Sequence, residues 1–446
     1  MNVVFFAIVL IAFVFAGWHQ FMGGPFDGDS TPIQALSKAV VDSAGGAVEL
    51  AIGLIGVMTL FLGLMKVAEK GGLLNVISRL LRPLMIRLFP DVPPEHPAMG
   101  AIILNMSANA LGLGNAATPF GIRAMQELDK LNPQKGTATN AMALFLAINT
   151  SSITLLPTGV IALRASAGSA DPAGILPTTL FATMCSTIVG VIAAKLYQRF
   201  SSPPQAVDPG ASSGRAPEAD HGIEEEGQDG ASDEDEEQEA MLAGASAGYP
   251  MWVSIAALCT VAAIIPLAII YGEVISPWII PGLVVGFLAY GMIKRVRVYE
   301  VFVEGAKEGF QVAVRIIPYL VAILVAVGMF RASGALEAMV GLLGPFTSMI
   351  GLPADALPMA LLRPLSGSGA YGVLASIIND PAVGPDSYVG YLVSTLQGST
   401  ETTFYVLAVY FGAVQVQRIR HTMAAALTAD VAGILFAALA CTLFLG

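Results

Sequence analysis

The sequence predicts an all-α polytopic membrane protein with two inverted-topology repeats and discontinuous, re-entrant helices. Its composition is the first observation: 12% of the 446 residues are charged and 55% are hydrophobic, whereas about a quarter of the residues of a soluble domain are charged. A series of apolar runs near the ~20 residues that span hydrocarbon is the second. An internal repeat that relates the two halves of the chain is the third.

Seven apolar runs predict continuous membrane-spanning helices. The first run follows no Lys or Arg and shows no small-residue cleavage site, so we expect it to be retained rather than removed as a signal peptide. The runs lie at 3–22, 47–65, 174–194, 251–271, 276–293, 309–330 and 422–445.

Four less regular apolar stretches contain Gly, Pro, Ser, Thr and Asn and predict discontinuous or re-entrant elements. A break within the membrane leaves N–H and C=O groups without helical partners, which is tolerated only where protein or a water-filled cavity satisfies them. Such breaks are therefore candidate binding sites. They lie at 97–122, 138–163, 356–378 and 388–417.

An acidic linker at 201–249 divides the chain into a first membrane repeat, 1–200, and a second, 250–446. The linker holds thirteen Asp or Glu and one Arg, which leaves twenty acidic and twenty-one basic residues elsewhere. Rich in Pro, Gly and Ser, it buries too little apolar area to offset chain entropy and is expected to be disordered. A solvated tether is the simplest role; calcium or partner binding is the alternative.

The two halves repeat each other in order. One gap-free alignment pairs Gly72 with Gly334 and Pro83 with Pro345, and a second pairs Met99 with Met359 and Gly112 with Gly372. The preserved order of an amphipathic segment, a Gly-rich break and a hydroxyl-rich break indicates an internal repeat. The aligned pairs are 51–84 with 313–346, 97–112 with 357–372, and 149–158 with 398–407.

Basic residues predict opposite directions for the two repeats, because they prefer the cytoplasmic side of short loops. Five of them follow the 47–65 helix, whereas four precede its counterpart at 309–330; the extra helix at 251–271 would reverse the second repeat. The N-terminus and the linker are then cytoplasmic. The segment 73–89 reads as an amphipathic helix on that surface, with lipid contact or a scaffold arm as its role. The basic residues are Lys66, Lys70, Arg79, Arg82, Arg87, Lys294, Arg295, Arg297 and Lys307.

Inverted repeats with broken helices are common in secondary transporters, which bind substrate near the midplane between the repeats. The polar side chains of the breaks are therefore candidate substrate-binding residues. Hydrogen bonding between helices is the structural alternative for each hydroxyl or amide. The candidates are Asn105, Ser107, Asn109, Asn149, Thr150, Ser151, Ser152, Ser366, Ser368, Gln397, Ser399, Thr400, Glu401 and Thr402.

Glu401 is the single carboxylate in this set, and an ionisable group at membrane depth indicates function. It is our candidate for the coupling ion, either as the carrier of a proton or as a permanent anion that contacts Na⁺ or a substrate donor. Arg363 has three readings: a partner for a substrate anion, a partner for Glu401, or a residue snorkelling to the interface. Glu49 and Arg315 are expected to be interfacial, near helix starts.

Other chemistries have little support in the sequence. The three cysteines lie in distant apolar runs and the four histidines are scattered, which argues against disulfides and metal sites. The breaks contain no Ser-His, Cys-His or carboxylate-pair spacing, so we expect no enzyme. We likewise expect no cofactor and no nucleic-acid partner.

Long motifs resemble the bacterial spore maturation protein A and B family. "GLGNAATPFGIRAMQELDKLNP" and "NTSSITLLPTGVIALRASAGSADP" are similar to the A protein, whereas "RPLSGSGAYGVLASII" and "STLQGSTETTFYVLAVYFGAVQVQRIRH" are similar to the B protein. The resemblance covers nearly the whole chain except the linker, and it implies a fusion of two proteins that work as a pair.

The same family is similar to the gate, or nucleoside-recognition, domains of concentrative nucleoside transporters and to ferrous-iron transporters. A Gln-Thr-Glu stretch contacts nucleoside in the former, and Ser399, Thr400 and Glu401 occupy the matching places here. The resemblance implies a bacterial inner-membrane transporter of a nucleoside-like solute or a small organic anion, coupled to H⁺ or Na⁺, and a homodimer in the lipid bilayer. A membrane scaffold that retains a transporter-like fold is the alternative.

Overall fold

The computed structural model describes residues 2–22, 31–201 and 248–445, and their regular structure is helical. Five of the described helices are long and apolar enough to cross a membrane. The predicted all-α polytopic class is therefore confirmed. The predicted acidic linker lies, apart from its two ends, outside the described residues.

Sixteen α-helices are described along the chain. The first half contains α1 (Asn2–Met22), α2 (Pro32–Lys70), α3 (Leu73–Leu88), α4 (Pro97–Ala110), α5 (Gly114–Lys130), α6 (Asn140–Thr150), α7 (Thr158–Ser166) and α8 (Ile175–Tyr197). The second half contains α9 (Met251–Ile293), α10 (Val298–Ala332), α11 (Ala335–Thr347), α12 (Leu357–Leu362), α13 (Gly367–Ile378), α14 (Tyr388–Ser399), α15 (Thr403–Gly412) and α16 (Thr422–Leu445).

Helix α2 begins fifteen residues before the predicted apolar run. Thr31 accepts from the Gln34 backbone N–H, and Gln34 in turn accepts from the Thr31 N–H, a capping box with Pro32 at the first helical position. This local signal starts the helix although the following residues are partly polar. The expectation that Glu49 lies near a helix start is consequently wrong, as is the same expectation for Arg315, which lies well inside α10.

Helix α9 contains both predicted helices, 251–271 and 276–293, with non-helical backbone angles at Tyr271. Just before its start, the Tyr249 N–H donates to the Arg79 carbonyl of α3. At its other end, the Tyr290 ring lies against Gly71, directly after α2. The start of α9 thus lies beside α3 and its end beside the α2–α3 connection, so the element leaves this side of the bundle and returns to it.

Each of the four predicted discontinuous elements is confirmed as a helix, a break and a second helix. The breaks lie at 111–113, 151–157, 363–366 and 400–402. Helix α12 has six residues whereas α4, its counterpart, has fourteen. The alignment of Gly112 with Gly372 is therefore wrong: Gly112 lies in a break, and Gly372 lies inside α13, because the second repeat breaks earlier.

The longest interhelical contact joins α2 and α10, which run antiparallel. A Cβ added at Gly305 would lie 2.7 Å from the Leu62 carbonyl oxygen, and one added at Gly309 would lie 2.8 Å from the Met58 carbonyl oxygen. Small residues permit such close approach, which drives helix association where lipid offers no hydrophobic gain. As the residue numbers rise along α10, the numbers of the residues that they contact on α2 fall, as inverted repeats require.

The two broken helices also run antiparallel. The Ala138 N–H, before α6, donates to the Arg418 carbonyl, after α15 (2.9 Å); we name this side of the bundle the Arg418 end. Arg164 of α7 donates to Asp386, before α14 (3.0 Å); this is the Asp386 end. The element α6–α7 therefore runs from the Arg418 end to the Asp386 end, and α14–α15 runs the other way. The inverted topology is confirmed.

Two apolar clusters hold the breaks between them. One is formed chiefly by α7, α12, α13 and α14, and includes Met359, Leu374 and Leu392. The other is formed chiefly by α4, α5, α6 and α15, and includes Met99 and Phe145. Each cluster mixes helices of both halves, so neither repeat has a complete core of its own.

Single cysteines in a cysteine-free background will test this topology. Lys130, the last residue of α5, and Gln417 come from different repeats and are both exposed at the Arg418 end. Ala170 and Ala382 are exposed at the Asp386 end. We expect a membrane-impermeant maleimide to label Ala170→Cys and Ala382→Cys in intact cells. Lys130→Cys and Gln417→Cys should react only after permeabilisation, because basic loops stay inside.

The test is specific because each end of the bundle is probed by one cysteine from each repeat. Labelling that separates the first repeat from the second, rather than one end from the other, would contradict the inverted arrangement.

Candidate functional site

The breaks of the two long broken helices lie about half a membrane thickness from the starts of these helices. Helix α6 has eleven residues before its break and α14 has twelve. At 1.5 Å per residue these rise about 16–18 Å, roughly half of a ~30 Å hydrocarbon core. The polar backbone groups at 151–157 and 400–402 therefore need partners supplied by the protein.

Backbone hydrogen bonds connect the four breaks to one another. In the first half, the Leu155 N–H donates to the Ala110 carbonyl (2.9 Å); in the second, the Phe404 N–H donates to the Pro364 carbonyl (3.2 Å). Between the halves, the Glu401 N–H donates to the Thr150 carbonyl (2.9 Å). The predicted site residues at the two hydroxyl-rich breaks are thus in direct contact.

Arg363 donates hydrogen bonds to three oxygen atoms in or next to the 400–402 break. Its buried guanidinium donates through Nε to the Gln397 carbonyl (3.2 Å), through Nη1 to Thr402 Oγ1 (3.1 Å) and through Nη2 to the Thr400 carbonyl. These are carbonyls and a hydroxyl that the interrupted helix leaves without helical donors. Of the three sequence readings, pairing with Glu401 has direct support, since Nη2 lies 3.6 Å from Glu401 Oε2.

The carboxylate of Glu401 is the open part of this arrangement. Its side chain is 50% exposed, whereas Arg363 beneath it is 6% exposed. One side of the carboxylate is therefore fixed by a cation and the other is accessible. An oriented anion of this kind can accept hydrogen bonds from a hydroxyl or amine of a solute, or contact a cation.

Amide side chains occupy the corresponding place in the first half. Asn109 precedes Ala110 as Arg363 precedes Pro364, and its Nδ2 donates to Asn149 Oδ1 (3.0 Å) and weakly to Asn105 Oδ1 (3.5 Å). Asn105 is buried and donates to the Ala117 carbonyl (2.7 Å) and to the Tyr410 hydroxyl of α15 (3.3 Å). Three predicted residues thus form one amide chain that leads to the Thr150–Glu401 contact.

Several predicted hydroxyls bond to their own helix rather than to the open part of the site. Thr150 and Ser151 both donate to the Ala147 carbonyl, and Ser107 and Ser399 donate to carbonyls one turn earlier. Ser366 caps α13 by accepting from the Gly369 N–H. These contacts favour the structural reading for those five residues. Ser152, Gln397 and Thr402 are buried and Ser368 is partly buried.

Two buried charged residues were not recognised from the sequence. Asp430 lies within α16 and accepts from the Thr403 hydroxyl (2.7 Å) at the start of α15. Arg164 lies on α7 and is fully buried. A lone carboxylate inside the 422–445 run, and an Arg among apolar residues at 158–166, were the signals available; neither adjoins a Gly- or hydroxyl-rich break in the sequence.

Arg164 joins the two halves at the Asp386 end. It donates to the Pro385 carbonyl (2.6 Å), the Asp171 carbonyl (3.1 Å) and the Asp386 carboxylate (3.0 Å), and its guanidinium lies 4.2 Å from the Tyr391 ring centroid. These contacts connect the segment that follows α7 to the segment that precedes α14. The ends of the two broken helices are therefore held together on this side.

An open cavity of about 550 Å³ lies at the same end, between the α2–α10 pair and the ends of α7 and α13. Its lining includes Glu49, Arg331 and Asn379. It gives the Asp386 end a polar recess next to the helices that carry the breaks.

The fold and the breaks define a class: polytopic α-helical membrane proteins with two inverted repeats and interrupted helices. The Gate family profile, described as nucleoside recognition, matches residues 51–167 and 313–416, one match in each half. The matched regions contain the four breaks, Arg363 and Glu401.

Two curated relatives come from Bacillus subtilis (strain 168). Spore maturation protein A is 42% identical over 197 residues, 44% of this chain and 95% of that protein. Spore maturation protein B is 48% identical over 167 residues, 37% of this chain and 93% of that protein. The chain belongs to the spore maturation protein A and B family, and the predicted resemblance is confirmed. Among solved structures, CNTnw in an outward-facing state has a TM-score of 0.44 and 12% identity, covering 99% of this chain and 91% of that one.

The role of Arg363 can be tested by stability. Hydrogen bonds to a charged group contribute about 1.5–3 kcal/mol each, so Arg363→Met, which leaves buried carbonyls without donors, should lower the midpoint of thermal unfolding strongly. Glu401→Gln should lower it little, because it removes only one ion pair of a half-exposed carboxylate. Differential scanning fluorimetry of the purified variants measures both.

Arg331→Met is the matched control, since Arg331 pairs with Asp380 but is 41% exposed. Equal losses of stability in Arg331→Met and Arg363→Met would contradict a special role for Arg363 in holding the break.

Proposed function

We propose that this protein is a secondary transporter of the bacterial inner membrane that carries a small polar solute. The solute is nucleoside-like or a small organic anion, and it binds near the midplane where the two repeats meet. The protein contributes binding and conformational change and performs no catalysis. Both relatives carry spore maturation in their names, and the proposal extends that setting to this chain.

The contact between the two interrupted helices carries this proposal. The Glu401 N–H bonds to the Thr150 carbonyl across the two repeats, with an oriented, half-exposed carboxylate beside it. Broken helices from two inverted repeats that meet at mid-depth are the arrangement in which secondary transporters bind substrate. The Gate description, nucleoside recognition, supports the class of solute.

The accessible part of Glu401 and the partly buried amide of Asn109 are the groups best placed to contact the solute. A carboxylate accepts hydrogen bonds, and an amide both donates and accepts; together they suit the hydroxyls and ring nitrogens of a nucleoside. An organic anion would instead draw on Arg363, which is already bound to three oxygen atoms. These contacts favour the nucleoside-like solute within the proposal.

Coupling to H⁺ or Na⁺, cytoplasmic placement of the N-terminus and linker, and a homodimer complete the proposal. The alternative is a membrane scaffold or regulator with a transporter-like fold. The bonding of several hydroxyls to their own helices is the observation that favours the alternative, because these groups would then serve the fold alone.

Ligand-dependent thermal stabilisation tests the proposal without knowledge of the transport direction. A solute that binds the folded state raises its stability by RT ln(1 + [L]/Kd), about 2.7 kcal/mol at a hundred times Kd. We expect one class among nucleosides, nucleobases and small dicarboxylates, with or without Na⁺, to raise the melting midpoint. Glu401→Gln should reduce that shift while keeping the unliganded midpoint.

Glu95→Gln is the matched control, since Glu95 is an exposed carboxylate that lies 3.6 Å from a buried arginine, Arg82, away from the breaks. No stabilisation by any of these solutes, with Glu401→Gln indistinguishable from the native protein in cells, would favour the scaffold.

A further inference from the structure

Asp430 is a buried carboxylate with one oxygen atom unused. It lies in the middle of α16 and is 3% exposed. Its Oδ2 accepts from Thr403 Oγ1 at 2.7 Å, whereas Oδ1 has no hydrogen-bond partner among the described residues. An ionised carboxylate left without partners inside a membrane is costly and marks a functional group.

The first repeat has a neutral residue, Thr187, at the position that corresponds to Asp430. Helix α8 approaches the first hydroxyl-rich break at Gly190, where an added Cβ would lie 3.1 Å from Ser151 Oγ; helix α16 approaches the second at Gly433, where it would lie 2.4 Å from Thr400 Cγ2. Three residues earlier these helices carry Thr187 and Asp430. The Thr187 hydroxyl donates to the Ser151 carbonyl, so a neutral side chain holds the break in the first half.

The guanidinium of Arg363 donates to Thr402 Oγ1 (3.1 Å), and the next residue, Thr403, donates to Asp430. Glu401, the partner of Arg363, lies two residues before Thr403.

The helices packed against α16 carry a thiol, an ammonium group and several phenols. The Tyr197 hydroxyl of α8 contacts Thr428 (3.1 Å), and Lys195 of α8 donates to the Leu88 carbonyl. The other ionisable side chains of these helices are Cys185 on α8, Tyr388 and Tyr391 on α14, and Tyr405 and Tyr410 on α15. Helix α6 carries no ionisable side chain. No Lys, Arg or His of the described residues is ion-paired with Asp430 at 4 Å or less.

We propose that Asp430 is the site of the coupling proton and that Glu401 is a permanent anion of the substrate site. This deepens the proposed function and rests on it. The carboxylate of Asp430 accepts H⁺ from water on one side of the membrane at Oδ1, and it releases H⁺ to water on the other. Oδ2 keeps the Thr403 hydroxyl as donor in both forms. Loss or gain of the charge then acts directly on the first residue of α15, adjacent to the break that carries Glu401.

The ligand set favours a proton over a metal cation. A bound metal ion needs several oxygen ligands at once, whereas Asp430 is accompanied by a single hydroxyl that donates to it. Glu401, in contrast, is half exposed, and its Oε2 lies 3.6 Å from Arg363 Nη2. The two carboxylates thus have different environments suited to different roles.

Infrared difference spectroscopy of the protein in lipid vesicles tests the assignment, with acidic and alkaline buffer compared in the absence of any solute. A protonated carboxyl group gives a C=O stretching band that an ionised one lacks. Because the chain has 33 Asp and Glu residues, the spectrum of each variant is subtracted from that of the native protein, so that the carboxyl groups common to both cancel. We expect this subtraction to reveal one carboxyl band that the native protein gains on acidification, that Asp430→Asn and Asp430→Thr lack, and that Glu401→Gln keeps. Thr403→Val should keep the band and shift its frequency, because the bond to Oδ2 is removed.

Asp430→Thr reproduces the residue of the first repeat and guards against a variant that does not fold. Persistence of the band in both Asp430 variants, its loss in Glu401→Gln, or the absence of a pH-dependent band in the native protein would each overturn the assignment. The readout needs no transported solute, so a band that depends on Asp430 together with no solute-induced stabilisation would count against the proposed function and leave the proton site in place.

Discussion

Backbone hydrogen bonding inside the membrane is the constraint on which this structure depends. Four interrupted helices place peptide groups where lipid supplies neither donors nor acceptors. The interrupted segments satisfy one another: the N–H groups of Leu155, Phe404 and Glu401 each donate to a carbonyl at another break. Since these bonds require both repeats at a fixed distance, the antiparallel α2–α10 contact and the two mixed apolar clusters are conditions for the centre to exist.

The two repeats share an inverted backbone arrangement, but the side chains at corresponding positions differ in charge. Asn109 and Arg363 occupy corresponding places, yet one joins a chain of neutral amides and the other is a cation that binds three oxygens. Thr187 and Asp430 differ in the same way. The first half therefore provides a neutral surface, while the second concentrates the charged groups. A site with this division can keep one wall constant while the other changes its charge.

Much of the fold could be predicted because a small number of physical rules govern membrane-spanning sequences. Apolar length, interruptions and the position of basic residues predicted all four breaks, the inverted direction and five of the seven expected spanning helices. The other two, 251–271 and 276–293, lie together in α9. Helix starts set by local capping, as at Thr31, and the short α12 were missed, because hydropathy does not register a single capping residue or a shortened turn. Glu401 stood out through its neighbours in sequence. Asp430 and Arg164 approach the centre and the Asp386 end only through packing between distant helices, which no local pattern encodes.

Within the described residues, hydrogen bonds and an ion pair connect the two halves. Bonds from Glu401 to Thr150, from Arg164 to Asp386 and from Arg420 to Asn140 all cross from one repeat to the other. Spore maturation proteins A and B are separate proteins, and each is matched by less than half of this chain. In a single chain the two halves meet in an intramolecular step, whose effective concentration depends on the segment that joins them. Fusion thereby fixes equal stoichiometry and spares the cell an excess of either half with unsatisfied polar groups in the bilayer.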